Sequence, residues 1–200
     1  YAIAELAAAV EAVVICVSAD SDVLEVVRAL APGLAAGSLV IDCSTVAADT
    51  ARQAAELLGK QGVDFLDCPV SGGVEGAREG TLAVMAGGGS QAFERARPVL
   101  QAMGRTIAHF GPTGSGQAAK ATNQIMGAGI IDTVAEAMAF ARSQGRPLEK
   151  LIDTLGKGAG SSCDFVHRAP NMARGSYPAG FRVRLHAKDL TICRDMAARF

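Results

Sequence analysis

The chain has 200 residues, of which 50% are hydrophobic and 20% charged, and its formal net charge is -1 at pH 7. This composition is typical of a soluble globular protein that can bury a core. The 19 Lys and Arg are scattered among 20 Asp and Glu, without the basic stripe that binds phosphate backbones, so we expect no nucleic-acid partner. No apolar run approaches the roughly 18 residues of a membrane helix, and no signal-peptide pattern is present, so we expect no membrane segment.

The cysteines and histidines give no sign of a metal site. The five cysteines form no CxxC pair, and the three histidines fall in no HExxH arrangement. An odd number of unpaired cysteines indicates reduced thiols, which predicts a cytoplasmic protein.

The first part of the chain carries the pattern of an α/β sheet. Short apolar runs alternate with helical stretches up to about residue 110, which predicts parallel strands joined by crossover helices. We predict strands over residues 12–17, 39–43, 65–67, 82–86 and 106–110. Helices are predicted over residues 22–34, 47–60 and 90–103. Residues 1–113 are therefore expected to form part of a doubly wound parallel sheet.

The pattern changes after GPTGSG (residues 111–116). Residues 117–144 form a helical stretch that is apolar on nearly every side, and such a helix is expected to be buried almost all round. Shorter helices are predicted over residues 148–155 and 164–174 and from residue 186 onward. We therefore predict an all-helical domain over residues 114–200. Its surplus of apolar faces also predicts a homo-oligomer, a dimer or tetramer.

Lys120 is the first candidate for chemistry. It lies in the phrase GSGQAAKATNQ near the start of the long helix, and Asn123 and Gln124 follow on the same helix face. Burial lowers the pKa of an amine toward the working pH of an acid-base catalyst. The pattern thus indicates a proton-transferring lysine beside amide side chains. On position alone, an exposed lysine at a helix start is the alternative.

A glycine-rich segment, PVSGGVEGAREG, follows the predicted strand at residues 65–67. Ligands of open α/β sheets bind outside the carboxyl ends of strands, so Ser71, Gly72 and Gly73 are well placed for a ligand. Successive backbone amides and a serine hydroxyl can bind a carboxylate. A turn that needs glycine for positive φ is the alternative, and the SGG triplet alone does not separate the two.

Three phrases in order, DCPVSGG, GSGQAAKATNQ and LHAKDL, resemble the β-hydroxyacid dehydrogenase family. That family contains 3-hydroxyisobutyrate dehydrogenase, tartronate semialdehyde reductase and, more distantly, 6-phosphogluconate dehydrogenase. The resemblance covers essentially the whole chain. It implies a partial Rossmann-like doubly wound sheet followed by an all-helical C-terminal domain. It also implies an enzyme that transfers a hydride between NAD or NADP and a short β-hydroxy acid.

The resemblance also implies a role for each matching residue. Lys120 would be the catalytic lysine, Ser71 to Gly73 would bind the substrate carboxylate, and Asn123 would help to orient the substrate. Gln124, another expected substrate contact, stands where several family members have a second asparagine. The residues expected on the cofactor side are Val17, Ser18, Ser44, Thr45 and Lys188.

Within the family, KxxNQ together with LHxKDL is closer to the tartronate semialdehyde reductase branch. We therefore expect a 2-hydroxy-3-oxopropionate (tartronate semialdehyde) reductase-like activity. The alternatives are 3-hydroxyisobutyrate dehydrogenase, another short semialdehyde reductase, or a non-catalytic family member that binds nucleotide. Loss of the lysine would mark the non-catalytic alternative, and Lys120 is present.

One departure from the family is large. The cofactor fingerprint GxGxxG is absent, and so is the residue that distinguishes NAD from NADP. The chain starts at Tyr1 and stops inside an amphipathic helical pattern. We interpret it as a fragment that lacks about fifty residues before Tyr1 and is truncated at its C-terminus. Activity is expected of the complete protein.

Overall fold

The structure is a computed structural model that describes residues 3–178 and 180–198. In chain order its elements are α1 (Ile3–Ala8), β1 (Ala12–Ile15), α2 (Asp20–Leu30), β2 (Leu39–Asp42), α3 (Ala48–Gly59), β3 (Asp64–Asp67), β4 (Val70–Ser71), α4 (Gly73–Glu79), β5 (Leu82–Ala86), α5 (Ser90–Met103), β6 (Gly104–His109), α6 (Ser115–Ser143), α7 (Leu148–Leu155), α8 (Cys163–Arg174) and α9 (Val183–Ala197). The predicted class, a Rossmann-like sheet with helices followed by a helical region, is confirmed.

The strands form two three-stranded sheets. Strands β1, β2 and β3 pair in parallel, with Ile15 opposite Asp42 and Asp42 opposite Asp67. Strand β6 is parallel to β5, but β4 is antiparallel to β5, where the sequence predicted only parallel pairing. A parallel crossover needs about a dozen residues or more. The connection between Ser71 and Leu82 is shorter than that, so an antiparallel return is favoured.

The first sheet is held by apolar side chains on both faces. All of β2 is buried, as expected of a central parallel strand, whereas burial alternates along β1. Val23 and Val27 of α2 and Leu58 of α3 are 0% exposed and belong to one core cluster. A second cluster, around Leu66 and Leu100, fixes α5 on the sheet. These two clusters set the positions of the strand ends.

Two short elements were not predicted. Strand β4 and the seven-residue helix α4 lie within the glycine-rich segment, which the sequence describes only as a loop. Gly72 precedes the helix with φ 136° and Gly80 follows it in the left-handed region with φ 62°. Glycine inside a helix lowers its propensity by about 1 kcal/mol relative to alanine, so the helical signal is weak here.

The contacts divide the chain into two compact units. One contains Tyr1–Thr122 together with Val183–Phe200, and the other contains Asn123–Arg182. Helix α9 therefore packs with the sheet-bearing unit, and its Cys193 thiol donates to the carbonyl of Ala121 at 3.4 Å. The predicted division of the chain at residues 113/114 stays a prediction.

Helix α6 corrects one expectation. Ile125, Met126 and Phe140 are 57%, 56% and 67% exposed, so this helix is not buried almost all round. Val134 and Met138 form one buried stripe with Ile152, Phe165 and Ala169 of the two following helices. The buried stripe of α6 packs against α7 and α8, and the opposite stripe is exposed. These two short helices cover only part of a 29-residue helix. Within residues 3–178 and 180–198, no helix is long and apolar enough to cross a membrane.

Candidate active site

The loops after β1 and β2 meet at the carboxyl edge of the first sheet. The Val17 N–H donates to Ser44 Oγ at 2.9 Å, so two residues predicted on the cofactor side lie together. Ser44 is 2% exposed, and its N–H donates to Asp42 Oδ1 at 2.9 Å. Ser18 is exposed and Thr45 is half-buried beside them. This edge is where open α/β sheets bind ligands.

Asp42, which sequence reasoning missed, is the most perturbed carboxyl at this edge. It is 0% exposed, and in the described part of the chain its Oδ2 has no hydrogen-bond partner. Burial raises its pKa to about 6; bonds from Ser44 oppose this, and the charges of Asp67 and Asp20 add to it. An ionised Asp42 therefore opposes folding.

The raised pKa predicts the sign of a pH effect. Below about pH 4 the Asp42 carboxyl is protonated in both states, and its favourable contribution to folding is complete. That contribution is lost as pH rises through about 6, because the folded chain must then hold a buried carboxylate. The loss is on the order of 3 kcal/mol in the free energy of unfolding.

Asp42→Asn tests this effect. Denaturant unfolding at several pH values gives the free energy of unfolding, and we expect the variant to lack the decrease that wild type shows between pH 4 and pH 7. Glu25→Gln, at an exposed site on α2, is the control, and equal pH dependence in wild type and Asp42→Asn would contradict the assignment.

Lys120 lies in the second turn of α6 and is 7% exposed, so the alternative of a solvent-exposed lysine is wrong. Burial lowers the pKa of its ammonium, the charge of Lys188 acts in the same direction, and the charge of Asp189 opposes both. A buried amine with a lowered pKa is suited to gain and lose a proton. Its catalytic role stays a prediction.

Lys188 and Asp189 lie on α9, beside the loop after β2. The Lys188 ammonium donates to the Thr45 carbonyl and lies 3.0 Å from Asp189 Oδ1. Lys188 keeps 26% of its side chain exposed, whereas only 3% of Asp189 is exposed. The structure thus brings together Lys188 and Thr45, both predicted on the cofactor side. In the sequence Asp189 belongs only to the phrase LHAKDL, without a role of its own, and in the structure its charge opposes the lowering of the Lys120 pKa.

The SGG segment has the positive φ angles that the turn interpretation requires. Ser71 ends β4 and is half-buried, while Gly72 and Gly73 are exposed and have φ of 136° and 66°. Those dihedral angles favour glycine, as the turn interpretation requires. The exposed backbone also leaves room for a ligand, so binding of a carboxylate by these residues stays a prediction. Its convergence with Lys120 on one cleft is likewise a prediction.

Asn123 and Gln124 follow Lys120 on α6. The Asn123 amide Nδ2 donates to Gln124 Oε1 at 2.9 Å, and Gln124 is 6% exposed. The two amides therefore orient each other on the helix. Their contact with substrate stays a prediction.

Two further residues that hold the start of α6 in place were missed. Asp67 ends β3 and its carboxylate accepts the N–H of Gly114, and Gln117 reaches the loop after β2. The available signal was weak: Asp42 and Asp67 each end an apolar strand with a carboxylate, in VID and FLD. In the described residues no group of His, Cys, Asp or Glu has a metal-binding arrangement.

Family models match both parts of the chain. Residues 1–111 match the NAD binding domain of 6-phosphogluconate dehydrogenase. Residues 114–200 match a model described as NAD-binding of NADP-dependent 3-hydroxyisobutyrate dehydrogenase. Both descriptions name the nicotinamide cofactor, so the predicted cofactor, NAD or NADP, is confirmed.

Individual relatives agree with these models. The chain is 42% identical over 161 residues to 3-hydroxyisobutyrate dehydrogenase of Pseudomonas aeruginosa, with 76% of this chain and 53% of that protein covered. It is 36% identical over 161 residues to 2-hydroxy-3-oxopropionate reductase of Escherichia coli, with 80% and 55% covered. A crystal structure of 3-hydroxyisobutyrate dehydrogenase from Salmonella typhimurium has a TM-score of 0.89 at 35% identity and covers 100% of this chain and 71% of that one.

The chain belongs to the β-hydroxyacid dehydrogenase family, as the three sequence phrases predicted. It spans little more than half the length of the two curated relatives described above.

Proposed function

We propose that the protein containing this chain interconverts a short β-hydroxy acid and its semialdehyde or ketone, with NAD or NADP as redox partner. The observation that carries the proposal is the state of Lys120. This lysine is 7% exposed, burial lowers its pKa, and the first turn of its helix is bound to the carboxyl edge of the sheet. A general acid-base group works best with its pKa near the operating pH.

Residues of this chain fit the nicotinamide side of the cofactor. Val17 and Ser44 are hydrogen-bonded at the strand ends, Ser18 is exposed beside them, and Lys188 places a cation at the Thr45 carbonyl. The GxGxxG segment that would hold the pyrophosphate is absent from this sequence, so these residues account for one half of a dinucleotide site.

The nicotinamide supplies or takes up the hydride when bound. In reduction, protonated Lys120 donates its proton to the substrate oxygen as negative charge develops there; in oxidation, the neutral amine accepts the hydroxyl proton. The segment from Ser71 to Gly73 binds the substrate carboxylate through backbone amides and the serine hydroxyl. Asn123 and Gln124, already oriented by each other, contact the substrate from the same helix.

The proposed substrate is tartronate semialdehyde, on the strength of KxxNQ together with LHAKDL. Sequence identity favours a second candidate substrate, 3-hydroxyisobutyrate. The 3-hydroxyisobutyrate dehydrogenase described above is 42% identical to this chain, and the 2-hydroxy-3-oxopropionate reductase is 36% identical. A non-catalytic role in nucleotide binding is disfavoured by the presence of Lys120. The homo-oligomer, a dimer or tetramer, and the cytoplasmic location stay predictions for the whole protein.

A substrate panel tests the proposal. Tartronate semialdehyde, 3-hydroxyisobutyrate, D-glycerate and L-serine are each assayed with NAD and NADP in the appropriate redox state, by absorbance of the reduced nicotinamide. We expect the highest kcat/KM with tartronate semialdehyde. A higher kcat/KM with 3-hydroxyisobutyrate would select the second candidate. Cofactor binding without turnover of any member of the panel would contradict the proposed reaction.

A further inference from the structure

We propose that Gln117 and Asp67 are positioning residues, which fix the first turn of α6, and with it the Lys120 amine, against the loop that follows β2. The inference rests on the proposed function only in that Lys120 is taken as the proton-transferring group. The contacts that carry it lie entirely within the sheet-bearing unit.

Asp67 binds the start of α6 through two backbone groups. Its Oδ1 accepts the Gly114 N–H at 2.8 Å, and its Oδ2 accepts the Gln117 N–H at 2.9 Å. The first N–H groups of a helix have no partners within the helix and carry partial positive charge, so a carboxylate is favoured there. Burial raises the pKa of Asp67, and the N–H groups of Gly114 and Gln117 lower it, which means that they stabilise its charged form. The end of β3 thereby fixes the start of α6.

This contact leaves little room for movement, because two glycines close around the carboxylate. A Cβ on Gly87 would lie 2.6 Å from Asp67 Oδ1 and 2.7 Å from the Gly116 nitrogen. A Cβ on Gly116 would lie 2.5 Å from the Asp67 carbonyl oxygen. Glycine at these two positions therefore lets the backbone approach Asp67 more closely than a residue with a Cβ would allow.

Gln117 makes a second attachment, to the loop between β2 and α3. Its Oε1 accepts the Val46 N–H at 3.1 Å, and its Nε2 donates to the Ser44 carbonyl at 2.8 Å. The side chain is 1% exposed, so both bonds are sheltered from water and neither backbone group has solvent as a replacement partner. The Gln117 amide donates one hydrogen bond to the loop and accepts another from it. The two bonds together fix both the orientation of the loop and its distance from α6.

The loop at residues 44–46 is bound from two sides. Gln117 holds it from α6, and Lys188 holds it from α9 at the Thr45 carbonyl. Lys188 also pairs with Asp189, whose charge acts on Lys120. Gln117 and Lys188 therefore hold the same loop from two helices, and Lys120 lies one helical turn beyond Gln117. A shift of the first turn of α6 changes the position of the Lys120 amine relative to that loop.

The position of the amine matters because proton transfer depends steeply on distance. Lys120 is three residues beyond Gln117, a rise of roughly 4.5 Å along the helix, so it follows any displacement of that turn. A misplacement of about 1 Å at a reacting group can cost on the order of 100-fold in rate. Loosening the turn would also admit water to Lys120 and weaken the burial that lowers its pKa.

The test compares Gln117→Met with Thr122→Ala in the protein containing this chain. Methionine has a similar size but makes neither bond, and Thr122 is an exposed residue of α6 whose hydroxyl donates to the Ala118 carbonyl of the same helix. The readouts are kcat, the KM for cofactor, and the titration of Lys120 followed by NMR after reductive ¹³C-methylation of lysines. We expect Gln117→Met to lower kcat by about 10- to 100-fold and to raise the Lys120 pKa. The KM for cofactor should rise as well, because the loop that Gln117 holds carries Ser44 and Thr45. Thr122→Ala should change none of them.

Asp67→Asn is the second variant, since it keeps the side-chain shape and removes one of the two acceptors. It carries the test if Gln117→Met does not fold. A lower free energy of unfolding with unchanged kcat and unchanged Lys120 titration, in either folded variant, would overturn the inference and leave a purely structural role. If the titration moves while wild type turns over no substrate of the panel, the positioning stands and the proposed function fails.

Discussion

Lys120→Ala is expected to lower kcat by about 10²- to 10⁴-fold, the usual contribution of a positioned acid-base group. The KM for cofactor should stay close to its wild-type value, because the residues proposed on the cofactor side are elsewhere in the chain. Steady-state assays of the reduced nicotinamide measure both quantities. Lys60→Ala is the matched control, because the Lys60 side chain is 71% exposed at the end of α3. A Lys120→Ala enzyme within about threefold of wild type would remove the lysine from the mechanism.

The same lysine gives the two directions of reaction opposite pH dependences. Reduction needs protonated Lys120, so its kcat/KM is expected to fall as pH rises through the Lys120 pKa. Oxidation needs the neutral amine, so its kcat/KM is expected to rise over the same range. Burial places that pKa below the ordinary lysine value of 10.5, so both limbs should begin at lower pH than an exposed lysine would give. Lys120→Ala should flatten both limbs.

Gly116→Ala is expected to cause the largest loss of stability, about 3 kcal/mol or more in the free energy of unfolding. The added methyl would lie 2.5 Å from the Asp67 carbonyl oxygen and would also overlap the Met85 carbonyl oxygen. Both are backbone atoms at strand ends, so neither can rotate away as a side chain could. Denaturant unfolding measures the loss.

The control for Gly116→Ala lies on the same helix. A Cβ on Gly129 would meet no atom within 4 Å, so Gly129→Ala changes only the helix propensity. It should raise the free energy of unfolding by up to about 1 kcal/mol. Equal effects of the two substitutions would contradict the close packing of the α6 start on the ends of β3 and β5.

Sequence patterns predicted the regular elements well where a local signal existed. The observed bounds of β5, α5 and α7 coincide with those predicted, because apolar periodicity and flanking glycine or proline mark their ends. Strand β4 and helix α4 were missed because four glycines in PVSGGVEGAREG hide a short helix. The antiparallel pairing of β4 with β5 was missed with them. Helix α9 belongs to the sheet-bearing unit by its contacts, and the predicted domain division at residues 113/114 stays a prediction.

Some residues of the candidate site could be predicted from the sequence and others could not. Lys120 and the SGG segment carry motifs and were found in the sequence. The roles of Asp67 and Gln117 depend on which backbone groups lie beside them after folding, with partners about fifty and seventy residues away in sequence. No local pattern encodes such contacts. Asp42 likewise looks like the end of an apolar strand until its burial is known.

Chemical rescue of Lys120→Ala tests the central claim most directly. Hydride transfer to or from the best substrate of the panel is followed in single turnovers, with ethylamine added at increasing concentration and sodium chloride matched for ionic strength. If the Lys120 amine moves the proton, the rate of the variant rises with ethylamine concentration and salt has no such effect. A single-turnover rate that does not change with ethylamine concentration, with substrate and cofactor both bound, would contradict the assignment of Lys120 as the proton-transfer group.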